Sequence, residues 1–408
     1  MTAIAADLAD NWLLYATMPV IAALIGYVTK IVAVEMMFKP VDFVGKPPFL
    51  GWQGIIPRNA GRMATVAMDL LLNRLIDPQA ILARIDADRL IKEMEAPLNK
   101  AVVEIGTDIL SKYQPALWEM MPSRAQQLLL RQIQARAPRA VAEIMADISG
   151  DLEQYVDVRD MAITNLVRDR AVLNRLIREI SLPEMRFIIR SGLWFGAIVG
   201  VAQAFVWALT HEPWIMPIFG GLIGLSSDWL ALKMIFHPRE ERRILGIFRW
   251  QGMFHRRRKQ VAADYGRLIA EEVLTIEHVL EAVLTGPRSD RLIMTVQRHV
   301  GKVIDENVGM AKPLVVLSIG STEYQQLRRD VAERGLAAVS TTLKPALGYA
   351  QDALDVEHTI IDAMLRLSPM EYEGVLRPAF KQDEWKLIVV GGILGALVGE
   401  LQVQLLLG

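Results

Sequence analysis

Four charged side chains stand well inside the two most apolar stretches of this 408-residue chain, with a fifth, Lys39, at the very end of the first. Lys30 and Glu35 lie between Pro19 and Pro40, and Asp228 and Lys233 between Pro217 and Pro238. An ionised group at the centre of a bilayer costs about 2.5–3.5 kcal/mol on insertion scales, so it faces a partner or a water-filled cavity. Two kinds of chemistry suit these four residues. They can form ion bridges, Lys30 with Asp228 and Glu35 with Lys233, that lock two halves of a protein together. Alternatively they can relay protons or ions across the interface of those halves. Other chemistry has little to build on. The chain has no cysteine, so thiol nucleophiles and thiolate metal sites are absent. Its six histidines, His211, His237, His255, His278, His299 and His358, are scattered without ligand spacing. No phosphate-binding loop, dinucleotide fingerprint, nucleophile elbow or metalloprotease helix motif occurs. The expectation is a non-enzymatic protein with no cofactor and no metal.

The charges belong to a duplication. The segment from Pro19 to Pro40 returns at Pro217 to Pro238, a shift of 217 − 19 = 198, with Leu24-Ile25-Gly26 matching Leu222-Ile223-Gly224. Lys30 then falls opposite Asp228 and Glu35 opposite Lys233, with signs exchanged at both positions. Trp52-Gln53-Gly54 recurs as Trp250-Gln251-Gly252 at the same shift, and Gly196-Ala197 recurs as Gly395-Ala396. A repeat of this length sets the architecture and is read before local structure. The expectation is two tandem copies, roughly 1–210 and 211–408.

Composition fixes the class of elements that carry them. A chain that is 52% hydrophobic yet 22% charged combines membrane segments with ordinary folded regions. Four stretches reach bilayer length: 11–38, 187–209, 214–236 and 385–407. The first can be framed from Trp12 to Thr29, leaving Lys30 at the interface, or from Pro19 to Phe38, putting it near the midplane. The second carries Gly192, Gly196 and Gly200, the third Gly220 and Gly224, and the fourth Gly391, Gly395 and Gly399. Small residues four apart line one helix face and let two backbones approach inside lipid. Between the spans, 40–185 and 238–383 read as two large amphipathic helical domains, punctuated in the first copy by Pro97, Pro115, Pro122 and Pro138. The loop from Lys46 to Pro57 reads either as a packed turn or as a segment in the headgroup layer. The fold class is therefore all-α and integral to a membrane: four transmembrane helices in two tandem repeats, each with an extramembrane helical domain.

The most specific residues are Gly220-Gly221-Leu222-Ile223-Gly224, Ser227-Asp228-Trp229-Leu230-Ala231, Met36-Met37-Phe38-Lys39-Pro40 and Gly54-Ile55-Ile56-Pro57-Arg58. With them, essentially the whole chain resembles the domain-of-unknown-function 445 family. The resemblance implies a bacterial multi-pass membrane protein with helical domains and assigns no activity and no catalytic residue. That family often has Asn where this chain has Lys30.

Charge placement gives the topology. Only Thr210-His211-Glu212-Pro213 separates the second and third stretches, so both helical domains fall on one side. That side carries Lys39, Arg58, Arg186, Arg239, Arg249 and Lys386, whereas the other shows Asp7, Asp10 and Glu212. By the positive-inside rule the helical domains are cytoplasmic, both termini lie outside, and the membrane is the bacterial inner membrane. The basic run Arg256-Arg257-Arg258-Lys259 can contact anionic lipid headgroups or simply hold this orientation. Nucleic acid is not an expected partner, because no matching fold or aromatic platform accompanies the run. The expected partners are membrane lipids, together with a second copy or a partner membrane protein. The expected function is a lipid-handling or scaffolding membrane module working through two helical arms; the alternative is a proton- or ion-coupled transporter with Lys30 and Asp228 at the repeat interface.

Overall fold

Long uncharged runs of Leu, Ile, Val and Ala satisfy their own backbone groups as helices, and here they do so without interruption. The computed structural model describes residues 11–46, 50–244, 248–308, 320–381 and 384–407, and it is almost entirely helical. Asp7, Asp10 and the Pro47–Phe49 part of the 46–57 loop lie outside the described residues. The contacts divide the chain into two units: one from the described residues of 1–71, 165–268 and 360–408, the other from 72–164 and 269–359. The expected boundaries, 40–185 and 238–383, do not coincide with these units. The central parts of both expected arms belong to one unit, and their flanks belong with the long apolar helices.

The first unit is built on four helices, Trp12–Phe38, Arg170–Thr210, Ile215–Phe236 and Glu384–Leu407. Trp12–Phe38 lies along Arg170–Thr210 and Ile215–Phe236 along Glu384–Leu407, and the two pairs join through the second and third helices and through the first and fourth. Trp12–Phe38 runs unbroken through Pro19. Arg170–Thr210 is a single helix of 41 residues, starting well before the apolar stretch. Its start is capped by Asp169, whose carboxylate accepts from the amides of Ala171 (3.0 Å) and Val172 (3.3 Å). It ends where His211 takes a left-handed conformation, φ 52°, opening the tight turn into the next helix.

Two short antiparallel hairpins depart from the all-α expectation: Val44–Lys46 with Leu50–Trp52, and Arg242–Ile244 with Phe248–Trp250. Three-residue strands are too short to show alternation in a sequence. Each hairpin comes after a cis proline, Pro40 or Pro238, and folds back on the end of its helix. The Gly54 amide donates to the Pro40 carbonyl and the Gly252 amide to the Pro238 carbonyl, both at 2.9 Å. The Trp52 indole donates to the Lys39 carbonyl at 3.3 Å and the Trp250 indole to the His237 carbonyl at 3.4 Å. Gln53 and Gln251 add the same pair of bonds, to the carbonyls of Val41 (2.8 Å) and Arg239 (3.0 Å). The described part of the 46–57 loop is the end of this first hairpin and a short helix with Ile55, Ile56 and Pro57 buried. Below the second hairpin, Phe236, Phe254 and Tyr372 stack with centroids 5.7 and 5.5 Å apart.

The second unit packs two helical hairpins, Glu95–Tyr113 with Ser123–Gly150 and Ser289–Val308 with Ser321–Leu343. Pro138 does not break Ser123–Gly150, against the expectation that it separates two helices. Leu90, Met94, Ala346 and Ala350 form a core cluster of this unit. Polar ties reinforce the helix contacts. Tyr155 and Thr295 share a buried hydroxyl bond of 3.1 Å, and Asp330 accepts from Lys112 (2.5 Å) and Tyr113 (3.0 Å). The imidazole of His299 lies between two carboxylates of Ser123–Gly150, 3.2 Å from Glu143 and 2.9 Å from Asp147.

These ties bear on acid stability. The Lys302 ammonium, 3.0 Å away, with Arg139 and His299, pulls the Glu143 carboxyl from its ordinary 4.5 down to about 2. A carboxyl depressed in the folded state stabilises it above its unfolded value and loses that contribution as pH falls from about 4.5 through 2. Glu143→Gln should therefore lower the melting temperature at neutral pH and leave a shallower acid limb than wild type between pH 5 and 2. Thermal unfolding followed by circular dichroism across that range checks this, and parallel acid limbs would refute it.

Candidate functional site

Lys30 projects from about two-thirds of the way along Trp12–Phe38 and Asp228 from a matching place in Ile215–Phe236, and the Lys30 ammonium bonds directly to the Asp228 carboxylate. Their side chains are 3% and 2% exposed. The pairing expected from the repeat shift is thus present. Its surroundings explain the glycines. A Cβ on Gly391 would collide with the Asp228 carboxylate, and a Cβ on Gly192 would crowd the Lys30 chain at 2.9 Å. The missing side chains of two helices make the seat for the charges of the other two.

The remaining glycines set the helix spacing. Gly26 and Gly192 face each other's carbonyls, as do Gly220 and Gly395, and Gly224 faces the Gly391 carbonyl; a Cβ on any of these five would meet backbone. Gly196 packs on Ala22 and Ala23, Gly200 on Pro19 and Ala22, and Gly399 on Met216 and Pro217. Backbone contact of this kind is how helices associate where burial from water no longer drives them. Gly26 has the same role but was not among the expected packing residues; its equivalence to Gly224 at the 198-residue shift is the signal that identifies it.

Beside the ion pair is a small cavity lined by Gly26, Thr29, Gly220, Ser227 and Gly391, at the limit of what one water molecule occupies. The nearby hydroxyls turn back on their own helices, Thr29 to the Ile25 carbonyl at 2.8 Å and Ser227 to the Gly224 carbonyl at 3.3 Å. No cluster that could hold a metal occurs among the described residues.

The second expected pair does not form. Glu35 accepts from Lys39 at 2.6 Å and Arg178 at 3.2 Å, and the Lys233 ammonium sits 4.7 Å over the Trp229 ring. Both residues lie near their helix ends, and Glu35 is 40% exposed. Its partner Arg178 arrives on the part of Arg170–Thr210 that precedes the apolar stretch, which the sequence assigns to a separate domain.

The basic run also divides. Arg257 donates to both oxygens of buried Glu184, at 2.7 and 2.9 Å. Arg258 donates to the carbonyls of Met364 (2.7 Å) and Leu367 and lies 5.2 Å over the Tyr372 ring. These two side chains are engaged by internal partners, whereas Arg256 and Lys259 are exposed.

Among the described residues, three helices are long and apolar enough to cross a membrane: Tyr15–Phe38, Arg170–Thr210 and Ile215–Phe236. Comparison with known proteins points the same way. The chain is 23% identical over 430 aligned residues to a protein of Microcystis aeruginosa named UPF0754 membrane protein, covering 95% of this chain and 96% of that one. A protein of the same name from Nostoc sp. is 23% identical over 427 residues, covering 96% of each. Over nearly its whole length the chain is similar to the UPF0754 membrane proteins. One of these, from Staphylococcus epidermidis, is 29% identical over 114 residues, 26% of this chain. No family model and no solved structure matches. The UPF0754 relation agrees with the resemblance to a membrane family of unknown function, and the names of these relatives carry no activity. With its apolar helices, it makes the chain a membrane protein.

Proposed function

We propose that the chain is a non-enzymatic inner-membrane module in which Lys30 and Asp228 lock two tandem halves together, and whose helical unit handles lipid or serves as a scaffold at the cytoplasmic leaflet. The observation that carries this reading is the seat of the ion pair. The charges are closed in by Gly192 and Gly391, on helices whose backbones touch, and the adjoining space suits one water at most. A directional pathway needs a continuous polar route, whereas a lock needs only this enclosure.

The same reading takes Glu384–Leu407 as a fourth span, in support of which it packs along Ile215–Phe236 as Arg170–Thr210 packs along Trp12–Phe38. The matching hairpins after Pro40 and Pro238, and the matching glycine contacts, support two copies of one ancestral unit. Lys39, Arg58, Arg239 and Arg249 lie at the hairpin ends and Glu212 at the opposite turn, so the hairpins face the cytoplasm and the termini the outside. Lipid handling draws support from a small cavity of about 40 Å³ in the first unit, walled mainly by Met37, Ile55, Met185, Ile188, Phe236 and Phe254 with Ser181, Glu184 and Glu384 completing it, which admits no more than the end of an acyl chain. Methionine-rich apolar walls adapt to flexible chains.

Two measurements test the proposal. Liposomes carrying the purified protein and an internal pH dye should hold an imposed proton gradient as long as protein-free liposomes. A leak abolished by Asp228→Asn would replace the lock with the transporter alternative. Native mass spectrometry from mild detergent should retain bound lipid that is lost on Ile188→Trp; a lipid-free spectrum would leave only the scaffold half.

A further inference from the structure

The two hairpins share a register and differ in what they carry. In the first, Val44 pairs with Trp52, Gly45 with Gly51 and Lys46 with Leu50; in the second, Arg242 pairs with Trp250, Arg243 with Arg249 and Ile244 with Phe248. The central rung thus holds two glycines in one hairpin and two arginines in the other. Side chains directly opposite in an antiparallel pair leave the same face with their Cβ atoms about 4.5–5.5 Å apart, and like charges placed so repel. Closing a hairpin of this size does not require that repulsion, because the first closes on glycines.

Neighbouring carboxylates leave the charge largely uncancelled. The Glu241 carboxylate reaches Arg249 Nε at 3.6 Å with both side chains exposed, and a surface pair of this kind contributes little. Arg243 is exposed and has no ion-pair partner among the described residues. Arg239, which leads into the hairpin, is already held by Glu373. Two adjacent guanidinium forks therefore have room for a further anion, and their planar donors match the oxygens of a phosphate. The position of the rung identifies where that phosphate comes from. Ile215–Phe236 has 22 residues and at 1.5 Å each reaches about 33 Å, close to the hydrocarbon thickness of a bilayer. The return strand is seated on its last turn: the Trp250 indole bonds to the His237 carbonyl, and a Cβ on Gly252 would meet the Ile235 carbonyl at 2.8 Å. Arg249 precedes Gly252 by 252 − 249 = 3 residues, at most about 10 Å of extended chain, so the rung stands at the headgroup layer.

We infer that Arg243 and Arg249 together bind the phosphate of an anionic lipid headgroup. A phosphocholine headgroup suits the pair less, because its choline cation would stand beside two guanidiniums. The inference is independent of any lipid handling in the apolar cavity.

The full chain in mild detergent, titrated with dioctanoyl phosphatidylglycerol or dioctanoyl phosphatidylcholine and read by native mass spectrometry, tests this. The first phosphatidylglycerol should bind about ten-fold more tightly, the factor that one charge-assisted hydrogen bond supplies. Arg243→Gln combined with Arg249→Gln should bring that preference below about two-fold. Lys100→Gln, at an exposed cation of the second unit, should keep it. Inorganic phosphate at the same concentration should leave the lipid in place. In lipid-free micelles the double variant should melt no lower than wild type, because it relieves a repulsion. Equal affinity for the two lipids, or a preference that survives the double substitution, would overturn the proposal and leave the arginines to orientation alone. Displacement by inorganic phosphate would overturn the lipid as ligand. A lower melting temperature of the double variant without lipid would overturn it too, since the pair would then be part of the hairpin's own structure.

Discussion

Asp228→Asn should destabilise the protein by about 3–5 kcal/mol, because it leaves the Lys30 ammonium buried without its counter-charge. Lys30→Met should cost a similar amount for the converse reason. The pair contributes less than either loss suggests. Bringing two charges into an apolar interior costs most of what their attraction returns, so removing both is far milder than removing one. Lys30→Met combined with Asp228→Leu should fall within about 1–2 kcal/mol of wild type by the same argument. The exchange Lys30→Asp with Asp228→Lys should recover only part of the loss, because Gly391 leaves room for a carboxylate and the longer lysine would press on backbone. Denaturation of the protein in mixed micelles measures all four variants. A single variant within about 1 kcal/mol of wild type would show that the pair is reached by water and is not the lock.

Gly224→Ala should be at least as damaging, although it adds one methyl group. That methyl would lie on the carbonyl of Gly391, and no side chain is available to move aside. The helices must separate, which also pulls Asp228 from its seat. A loss of about 3 kcal/mol or more is expected, at or beyond the usual range for overpacking. One turn earlier, Gly221 supplies the control. A Cβ there meets only Ala396 at 3.5 Å and a carbonyl at 3.6 Å, ordinary contact distances, so Gly221→Ala should stay within about 0.5 kcal/mol. Equal effects of the two substitutions would mean that helix spacing in the bundle is not set by glycine.

The legible features of the sequence were those that repeat and those that keep a helical period. Lys30 and Asp228 could be paired before any coordinates because one shift aligned them with opposite signs, and the glycines because their spacing marks a face. Partners brought from far along the chain left no such mark. Arg257 reads as one of four surface cations, yet its partner Glu184 lies 73 residues away. Glu35 mirrors Lys233 in the repeat, but the helix that delivers Arg178 to it runs well past the apolar stretch. The hairpins were illegible because three residues cannot alternate visibly, and Pro138 misled because a proline can be carried within a long packed helix. The grouping of residues 72–164 with 269–359 depends on contacts between segments far apart in the chain, which a comparison of one segment's sequence with another's does not contain.

The Arg170–Thr210 helix has a mechanical side as well. At 1.5 Å per residue its 41 residues reach about 60 Å, roughly twice the hydrocarbon thickness of a bilayer. The apolar stretch 187–209 takes up about half of it, and the rest precedes that stretch across Pro183 as an arm continuous with the segment gripped by Gly26 and Ala22. Tilting that segment by roughly 10° would swing an arm of about 30 Å through about 5 Å. A tilt of that size would be read directly at Arg178 and Glu184, which that arm presents to Glu35 and Arg257.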